Sequence, residues 1–363
     1  MKKFACMAAC AVGASFAHAQ SSVTLYGLVD ASLLYQNKNG GPGAGGPSPH
    51  SNFLFSSGGN SSNRWGLLGL EDLGGGVRAG FQLEGQFSIG SGAMSPSNTI
   101  FGHYANVFVR SSYGQITAGL QQDPAYYAFG RADPRSLKQA FSAAGYWNFL
   151  EGKSTTSGVT VYEANSVGYT YKTDTVYLGA LYHFGNEAGS LAQGRTVSLG
   201  AAYEDAHFIG EGAFVQKNDQ YGNRDLTVWS LGGGYKLGPL TFKAAWTDYN
   251  QPEGNAITQF GVTGPSDIRV IQAGANWYVT PASMLTFAYY WAEDRKDTQN
   301  ATSAYVLSED YFLSKSTELY GFVGLMNAKK MANGLTNLMT ASLTGGMPDT
   351  NTVAVGVGIS HRF

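Results

Sequence analysis

The side chains that could do chemistry are concentrated in one stretch of this chain, residues 122–158. The charged residues that we single out there are Asp123, Arg131, Asp133, Arg135, Lys138 and Glu151. Opposed charges facing each other across a narrow passage would create a transverse field that orients and filters solutes. Alternatively, Asp133 pairs with Arg131 or Arg135 and only holds the segment in place. The sequence leaves both possibilities open.

Aromatic side chains crowd the same stretch. Seven of them lie between Tyr126 and Phe149, a density that argues against disorder. The candidates for a structural or binding role are Tyr126, Tyr127, Phe129, Tyr146, Trp147 and Phe149. They would either anchor the segment to neighbouring structure or form a stacking track for sugars and aromatic solutes. Long inserts without secondary structure are usually functional or disordered, so we expect a functional loop.

Other catalytic and binding patterns are weak. The five histidines after residue 19 are far apart and lack metal-ligand spacing. The glycine run 74–76 lacks the Lys-Ser/Thr of a phosphate loop. We therefore expect no enzyme activity, no metal and no cofactor. A membrane-embedded protease or lipase stays open as an alternative, because catalytic triads assemble in space and not in sequence.

Sixteen segments show strand character, and most of the chain belongs to one of them. They lie near 23–35, 62–71, 76–88, 101–112, 115–121, 159–173, 175–184, 195–206, 207–217, 225–237, 240–250, 269–280, 283–294, 303–314, 317–328 and 352–363. Short turns alternate with longer loops, including 37–61, 251–267 and 329–351. An even strand number with this alternation is typical of an all-β, antiparallel transmembrane β-barrel, whose closure satisfies every backbone polar group in lipid.

Strand alternation assigns several charged residues to the inner face of such a barrel. Arg64, Arg78 and Glu84 have this parity, as do Arg110 and Lys243 nearer their strand ends. A charge that points into lipid at mid-membrane costs about 2–4 kcal/mol, which favours inward placement. Aromatic girdles at the lipid interface are expected from Tyr35, Phe87, Trp277, Tyr278 and residues 289–291.

The ends and the charge balance complete the outline. Residues 1–19 read as a secretory signal peptide, with Lys2 and Lys3, an apolar core and Ala17-His18-Ala19 before a cleavage site. Residues 20–363 would then be the barrel, with both cysteines removed. Its 21 basic and 25 acidic residues give a net charge near −4, which argues against binding nucleic acid.

With these features in place, the chain resembles the trimeric general porins of Gram-negative bacteria, in their beta-proteobacterial branch. The stretches that carry the resemblance are residues 22–30 (SVTLYGLVD), 63–76 (NRWGLLGLEDLGGG), 311–320 (YFLSKSTELY) and 358–363 (GISHRF). The resemblance implies a 16-stranded barrel in the outer membrane with short periplasmic turns and long outer loops. It also implies a homotrimer that passes ions and small hydrophilic solutes by diffusion.

The same resemblance implies that the third outer loop, here residues 122–158, folds inward as a constriction. It further implies contact with outer-membrane lipid and lipopolysaccharide, and recognition of Phe363 by the barrel-assembly machinery. A substrate-selective uptake channel of the same fold is the main alternative, followed by a barrel enzyme or an adhesin. Two acidic clusters could bridge lipopolysaccharide through divalent cations, or could simply be solvated loop charge. They are Glu293, Asp294 and Asp297, and Asp248 with Glu253.

Departures from the family pattern concern the arginines of the wall. Arg64 is retained, but Leu68, Leu120, Gly168 and His103 stand where the family commonly has arginine. Fewer wall cations weaken the field that would favour anions. We therefore do not carry anion selectivity over from the family, and we expect the charges of residues 122–158 to dominate.

Overall fold

The computed structural model describes residues 22–38, 50–95, 97–151, 161–252, 265–328, 335 and 350–363. Its strands are β1 (Ser22–Gln36), β2 (Asn52–Ser57), β3 (Arg64–Gly74), β4 (Val77–Phe87), β5 (Met94–Ser95), β6 (Tyr104–Ser111), β7 (Gly114–Gln122), β8 (Tyr162–Lys172), β9 (Val176–His183), β10 (Thr196–Glu204), β11 (Phe208–Asn218), β12 (Arg224–Leu237), β13 (Leu240–Gln251), β14 (Ser266–Thr280), β15 (Ser283–Asp294), β16 (Asp297–Phe312), β17 (Thr317–Ala328) and β18 (Asn351–Arg362). Two short helices, α1 (Pro124–Phe129) and α2 (Ala144–Tyr146), precede a π-helical turn at Trp147–Glu151. The predicted signal peptide and most of the predicted loops 251–267 and 329–351 lie outside the described residues.

All strands join one antiparallel sheet that closes on itself. β1 pairs with β18 on one side, from Leu28↔Arg362 to Gln36↔Ala354, and with β2 and β3 on the other. β2 and β3 share one position in the sheet, and β5 and β6 share another, because each pair lines up along the same neighbour. Because two positions are each filled by two strands, the eighteen strands occupy the sixteen positions that the sequence predicts.

The two interrupted positions differ from the prediction. The predicted loop 37–61 contains β2, and β5 lies in the predicted gap between residues 88 and 101. Both extra strands are short, and each is separated from its continuation by a bend that breaks the alternation of side chains. Each insertion is a short excursion of the chain, longer than the single extra residue of an ordinary β-bulge, and the sheet continues on its far side.

The wall has an exposed apolar face and a buried face of small or polar residues. In β18, Val355, Val357 and Ile359 are exposed, whereas Ala354 and Ser360 are buried. This is the reverse of a water-soluble fold and matches the lipid-facing band of a membrane barrel. Among the described residues, no helix combines the length and the apolar character needed to cross a membrane.

The strand ends confirm most of the predicted turns. Asp72 accepts a hydrogen bond from Gly74 N at 2.9 Å in the first short turn, as a turn residue does. Trp277 is exposed and has the parity of the outer face of β14, as expected for a girdle, whereas Tyr278 is exposed but has the opposite parity. Tyr290 is fully buried, so its predicted place in the girdle is wrong. Its hydroxyl instead contacts the segment between β7 and β8.

Candidate functional site

The segment between β7 and β8, called here the long loop (residues 122–158), runs close against the wall. A methyl group at Gly200 in β10 would lie 2.2 Å from the carbonyl oxygen of Pro124, and one at Gly179 in β9 would lie 2.5 Å from Pro124 Cβ. Further glycines face later parts of the loop in the same way, namely Gly232, Gly274 and Gly324. The long loop therefore contacts the wall from β9 to β17, on the face opposite the exposed apolar side chains.

Aromatic side chains anchor the long loop. Phe129, Tyr146 and Trp147 are fully buried and Tyr126 is nearly so. The Trp147 ring packs 4.5 Å from Phe129 and 6.1 Å from Tyr249 of β13, centroid to centroid. The anchoring interpretation is confirmed for these four residues. The stacking-track interpretation is wrong for them, because buried rings cannot contact a passing solute.

Asp123 begins helix α1 and ties it to the wall. Its Oδ1 accepts a hydrogen bond from Ala125 N at 2.8 Å, as an N-cap does. The Ser198 hydroxyl of β10 donates to the same oxygen. Burial raises the pKa of the Asp123 carboxyl to about 7, and Glu163 adds to this shift, whereas the hydrogen bond from Ser198 opposes it. Asp123 is therefore a structural carboxyl rather than a charge exposed to solutes.

Asp133 is also buried, and its partners are not those expected. Its carboxylate accepts hydrogen bonds from Leu137 N at 2.6 Å and from the Tyr290 hydroxyl at 2.8 Å. Burial raises the pKa of this carboxyl. In the described part of the chain, Asp133 forms no ion pair with Arg131 or Arg135, so the predicted local pairing is wrong. Hydrogen bonds to the wall hold this part of the long loop instead.

The tip of the long loop carries two cations, of which Arg135 is buried and Lys138 is partly buried. Arg135 donates from Nη2 to the Ala140 carbonyl at 3.2 Å and lies 5.7 Å from the centroid of the Phe322 ring. Lys138 forms an ion pair with Asp310 of β16. Burial lowers the pKa of the Lys138 ammonium, and Asp310 opposes that shift. These two charges therefore bind the loop tip to β16 and β17.

Arg131 reaches a group of cations on the wall. Its Nη1 is 3.1 Å from Glu204 Oε2 of β10, and Lys236 Nζ of β12 is 2.7 Å from Oε1 of the same carboxylate. Lys243 Nζ of β13 donates to the Asp133 carbonyl at 3.2 Å. Lys172 Nζ lies 5.4 Å from the centroid of the Tyr127 ring. We call Arg131, Lys172, Lys236 and Lys243 the basic cluster.

The basic cluster has more positive than negative charge. Glu204 is the carboxylate that bridges Arg131 and Lys236. Within the described residues, Lys172 and Lys243 have no carboxylate in ion-pair contact. Arg131 and Lys236 are about one-third and one-quarter exposed, at 33% and 27%. The cations therefore outnumber the two carboxyl groups near them, the bridging Glu204 and the buried Asp133 beside Lys243, and such an excess favours a positive local potential.

A second polar group lies on β3 and β4. Glu84 is buried. Its Oε1 lies 2.9 Å from His103 Nδ1 and 3.9 Å from Arg64 Nε. The His103 ring stacks on Tyr162 at 4.4 Å, where β8 follows the long loop. Arg64 and Glu84 thus lie on the face that the alternation predicts, with His103 completing the group.

The structure does not bring every candidate together. Arg78 is 3.9 Å from Asp72 at the short-turn end, with more than half of both side chains exposed. Arg110 lies opposite Arg78 in the register and is exposed as well. Both are therefore separate from the long loop. Residues 152–158 and the side chains of Phe149 and Glu151 lie outside the described residues.

Sequence reasoning missed several residues that contact the long loop or its basic cluster. Glu204, Lys236 and Asp310 were not singled out, although strand alternation gives each of them the same inner face as its partners. Asp248 of the proposed divalent-cation site is ion-paired, with Arg269 Nε at 3.5 Å and Arg295 Nη2 at 3.4 Å. Among the described residues, no group of three or more potential metal ligands is found.

Comparison with known proteins gives consistent likenesses over the whole chain. A family model described as Gram-negative porin matches residues 5–330. An outer membrane porin protein of Bordetella pertussis is 28% identical over 405 residues, and outer membrane porin protein 32 of Delftia acidovorans is 26% identical over 371 residues, each with 100% of both chains covered.

Solved structures share the fold. An anion-selective porin from Comamonas acidovorans has a TM-score of 0.76 at 23% identity, covering 95% of this chain and 100% of that one. The trimer form of OmpT, an outer membrane protein of Vibrio cholerae, has a TM-score of 0.66 at 13% identity, covering 94% and 99%. At these identities the likeness extends to the barrel architecture.

Proposed function

Because this chain belongs to the Gram-negative porin family and is an outer-membrane diffusion channel, we propose that its long loop lies inside the barrel and forms the constriction. The observation that carries this proposal is the close approach of the loop to Gly179 and Gly200 on the face opposite the lipid-exposed side chains. A loop on that face occupies part of the cross-section through which solutes pass. Charges on it and beside it then act at short range on a permeating ion.

We further propose that the channel prefers anions over cations. The basic cluster supports this preference, since its cations outnumber the carboxylate that bridges two of them. The structurally similar Comamonas protein is named as anion-selective. The absent wall arginines argued against carrying this property over, but lysines on β8, β12 and β13 supply positive charge at other positions.

Reversal potential in a salt gradient across a planar bilayer tests the ion preference. We expect an anion-selective sign for the native channel, and a smaller value after Lys236→Gln combined with Lys243→Gln. Lys315→Gln is the matched control, because Lys315 is exposed in the short turn between β16 and β17. A cation-selective native channel, or equal shifts for the double variant and the control, would contradict the role of the basic cluster.

Deletion of residues 126–149 tests the constriction separately. If the long loop narrows the pore, its removal raises the single-channel conductance while the barrel still shows heat-modifiable mobility on gels. Unchanged conductance from a folded deletion variant would contradict a constriction by this loop. The burial of Tyr126, Phe129, Tyr146 and Trp147 leaves the alternative of a substrate-selective stacking track without its main support.

Assembly and export follow the family pattern in this proposal. We propose a homotrimer, in keeping with the trimer form of the structurally similar Vibrio protein, so that conductance should appear in steps of three. Residues 1–19 would direct export, and Phe363 would present the end of β18 to the barrel-assembly machinery. We also propose that the barrel contacts lipopolysaccharide, and that it works without a cofactor and without catalytic activity.

A further inference from the structure

The interruption between β2 and β3 forms a compact bend, residues 58–63. In the register with β1, Ser57 lies opposite Ala31 and Arg64 lies opposite Leu28. Two residues of β1, Val29 and Asp30, therefore face six residues of the neighbouring strand. The additional residues cannot lie in the plane of the sheet, so the chain leaves the wall at this point. We call this segment the 58–63 bend.

A single carboxylate holds the 58–63 bend. Asp30 is fully buried. Its Oδ1 accepts a hydrogen bond from Gly59 N at 2.8 Å, and its Oδ2 accepts from Asn60 N at 3.2 Å and Ser61 N at 3.0 Å. The Tyr320 hydroxyl of β17 donates to Oδ1 at 2.5 Å. Four donors converge on one side chain, so Asp30 determines the conformation of the bend.

The other side of the bend binds the tip of the long loop. Ala140 N donates to the Gly59 carbonyl at 3.0 Å, and Gln139 N donates to the Asn60 carbonyl at 3.1 Å. The Asn60 side-chain amide donates to Asp310 Oδ1 at 3.1 Å, the same carboxylate that pairs with Lys138. The tip of the loop therefore lies between the bend and the wall, and the bend is its direct backbone partner.

We propose that the 58–63 bend is a second element of the constriction and that Asp30 is a positioning residue, which sets the place of the loop tip without touching a solute. This assignment rests on the constriction proposed above. The bend and the loop tip share two backbone hydrogen bonds, so a shift of the bend either carries the loop tip with it or breaks these bonds. Ser61 and Ser62 are partly exposed and present hydroxyl groups beside Arg64, whose side chain is also partly exposed.

Asp30→Asn tests the positioning role. The amide has nearly the volume of the carboxyl. Its nitrogen, however, is a donor and would face backbone N–H groups that in the native protein donate to a carboxylate oxygen, so at least one hydrogen bond is lost. We expect a higher mean conductance and frequent transitions to a wider state. Loss of one hydrogen bond of typical net strength, about 1.4 kcal/mol, corresponds to about a tenfold rise in the occupancy of that state. Tyr320→Phe removes one donor and should give a smaller change in the same direction.

Asp72→Asn is the matched control, because it makes the same substitution at an exposed short turn. Native-like conductance and noise in both Asp30→Asn and Tyr320→Phe, with heat-modifiable mobility retained, would overturn the role of Asp30. If Asp30→Asn does not fold, Tyr320→Phe alone decides. Deletion of residues 126–149 could raise the conductance while neither Asp30→Asn nor Tyr320→Phe has any effect. That result would overturn the role of Asp30 but support the proposed constriction by the long loop.

Cysteine modification tests whether the bend lines the pore. The chain has two cysteines, Cys6 and Cys10, both within the expected signal peptide. In Ser61→Cys, reaction with an anionic methanethiosulfonate should reduce the single-channel current, whereas Ser314→Cys in an exposed short turn should show no reduction. Absence of a reduction at Ser61→Cys, with labelling confirmed by mass, would refute a pore-lining position for the bend.

Discussion

Gly200→Ala is the sharpest test of how the long loop meets the wall. Gly200 lies in β10, directly beneath the first residue of helix α1. A methyl group there would lie 2.2 Å from the Pro124 carbonyl oxygen and 2.7 Å from its carbonyl carbon. These are backbone atoms, so no side-chain rotation relieves the contact. The start of α1 must therefore move away from β10.

The size of the effect follows from these distances. A carbon–oxygen contact of about 3.2 Å requires the backbone at Pro124 to retreat by about 1 Å, in a region packed to the density of a protein interior. Asp123 precedes this residue and would lose its contact with Ser198. Overpacking of this kind costs about 1–3 kcal/mol. We expect a decrease of that size in the free energy of unfolding.

Gly210→Ala in β11 is the matched control. A methyl group at Gly210 would have nothing within 4 Å, and alanine in a strand interior is favoured over glycine by about 0.5–1 kcal/mol. The two variants should thus change stability in opposite directions, which urea unfolding followed by tryptophan fluorescence measures. If Gly200→Ala matched Gly210→Ala in both stability and single-channel conductance, the contact between the long loop and β10 would be refuted.

Three further predictions concern charges. Lys138→Met leaves Asp310 buried without its cation, which should lower the free energy of unfolding by about 3–5 kcal/mol; a loss below about 1 kcal/mol in urea unfolding would mean that the pair behaves as an exposed one. The folded-state pKa of Asp123, about 7, is raised from an ordinary value of 3.8, so its contribution to stability is fully present below pH 4 and is lost as pH rises to about 7. Asp123→Asn should reduce this slope in urea midpoints between pH 4 and pH 7, and an unchanged slope would assign it to other groups. Arg78→Gln should leave the reversal potential unchanged, since the Arg78 side chain is more than half exposed and lies beside Asp72 rather than against the long loop, whereas a large shift would place it in the selective region.

The barrel was largely predictable because its sequence signal is local. Alternation identifies each long strand, and in β18 the exposed valines and buried small residues follow the predicted faces. The split between β2 and β3 was not predictable in this way. The 58–63 bend has the serine, glycine and asparagine content of an ordinary loop, and only the carboxylate of Asp30 on the neighbouring strand distinguishes it.

The site was predictable in its location but not in its pairs. Alternation gives the face of a residue but not its height along the barrel, so Arg64 and Arg78 have equal parity although only Arg64 contacts buried Glu84. The partners of the long loop are distant in sequence: Asp133 meets Tyr290 157 residues later, and Lys138 meets Asp310 172 residues later. No local pattern indicates such pairs.

The packing of the long loop against the wall has a consequence for folding. The wall glycines that it meets, from Gly179 in β9 to Gly324 in β17, all follow the loop in the chain. Its tip also needs Asp310 in β16 and Phe322 in β17. Contacts of such high sequence separation form late and slowly. The loop can thus reach its final position only once β16 and β17 are in place, so we expect its docking against the wall to be a late step in folding.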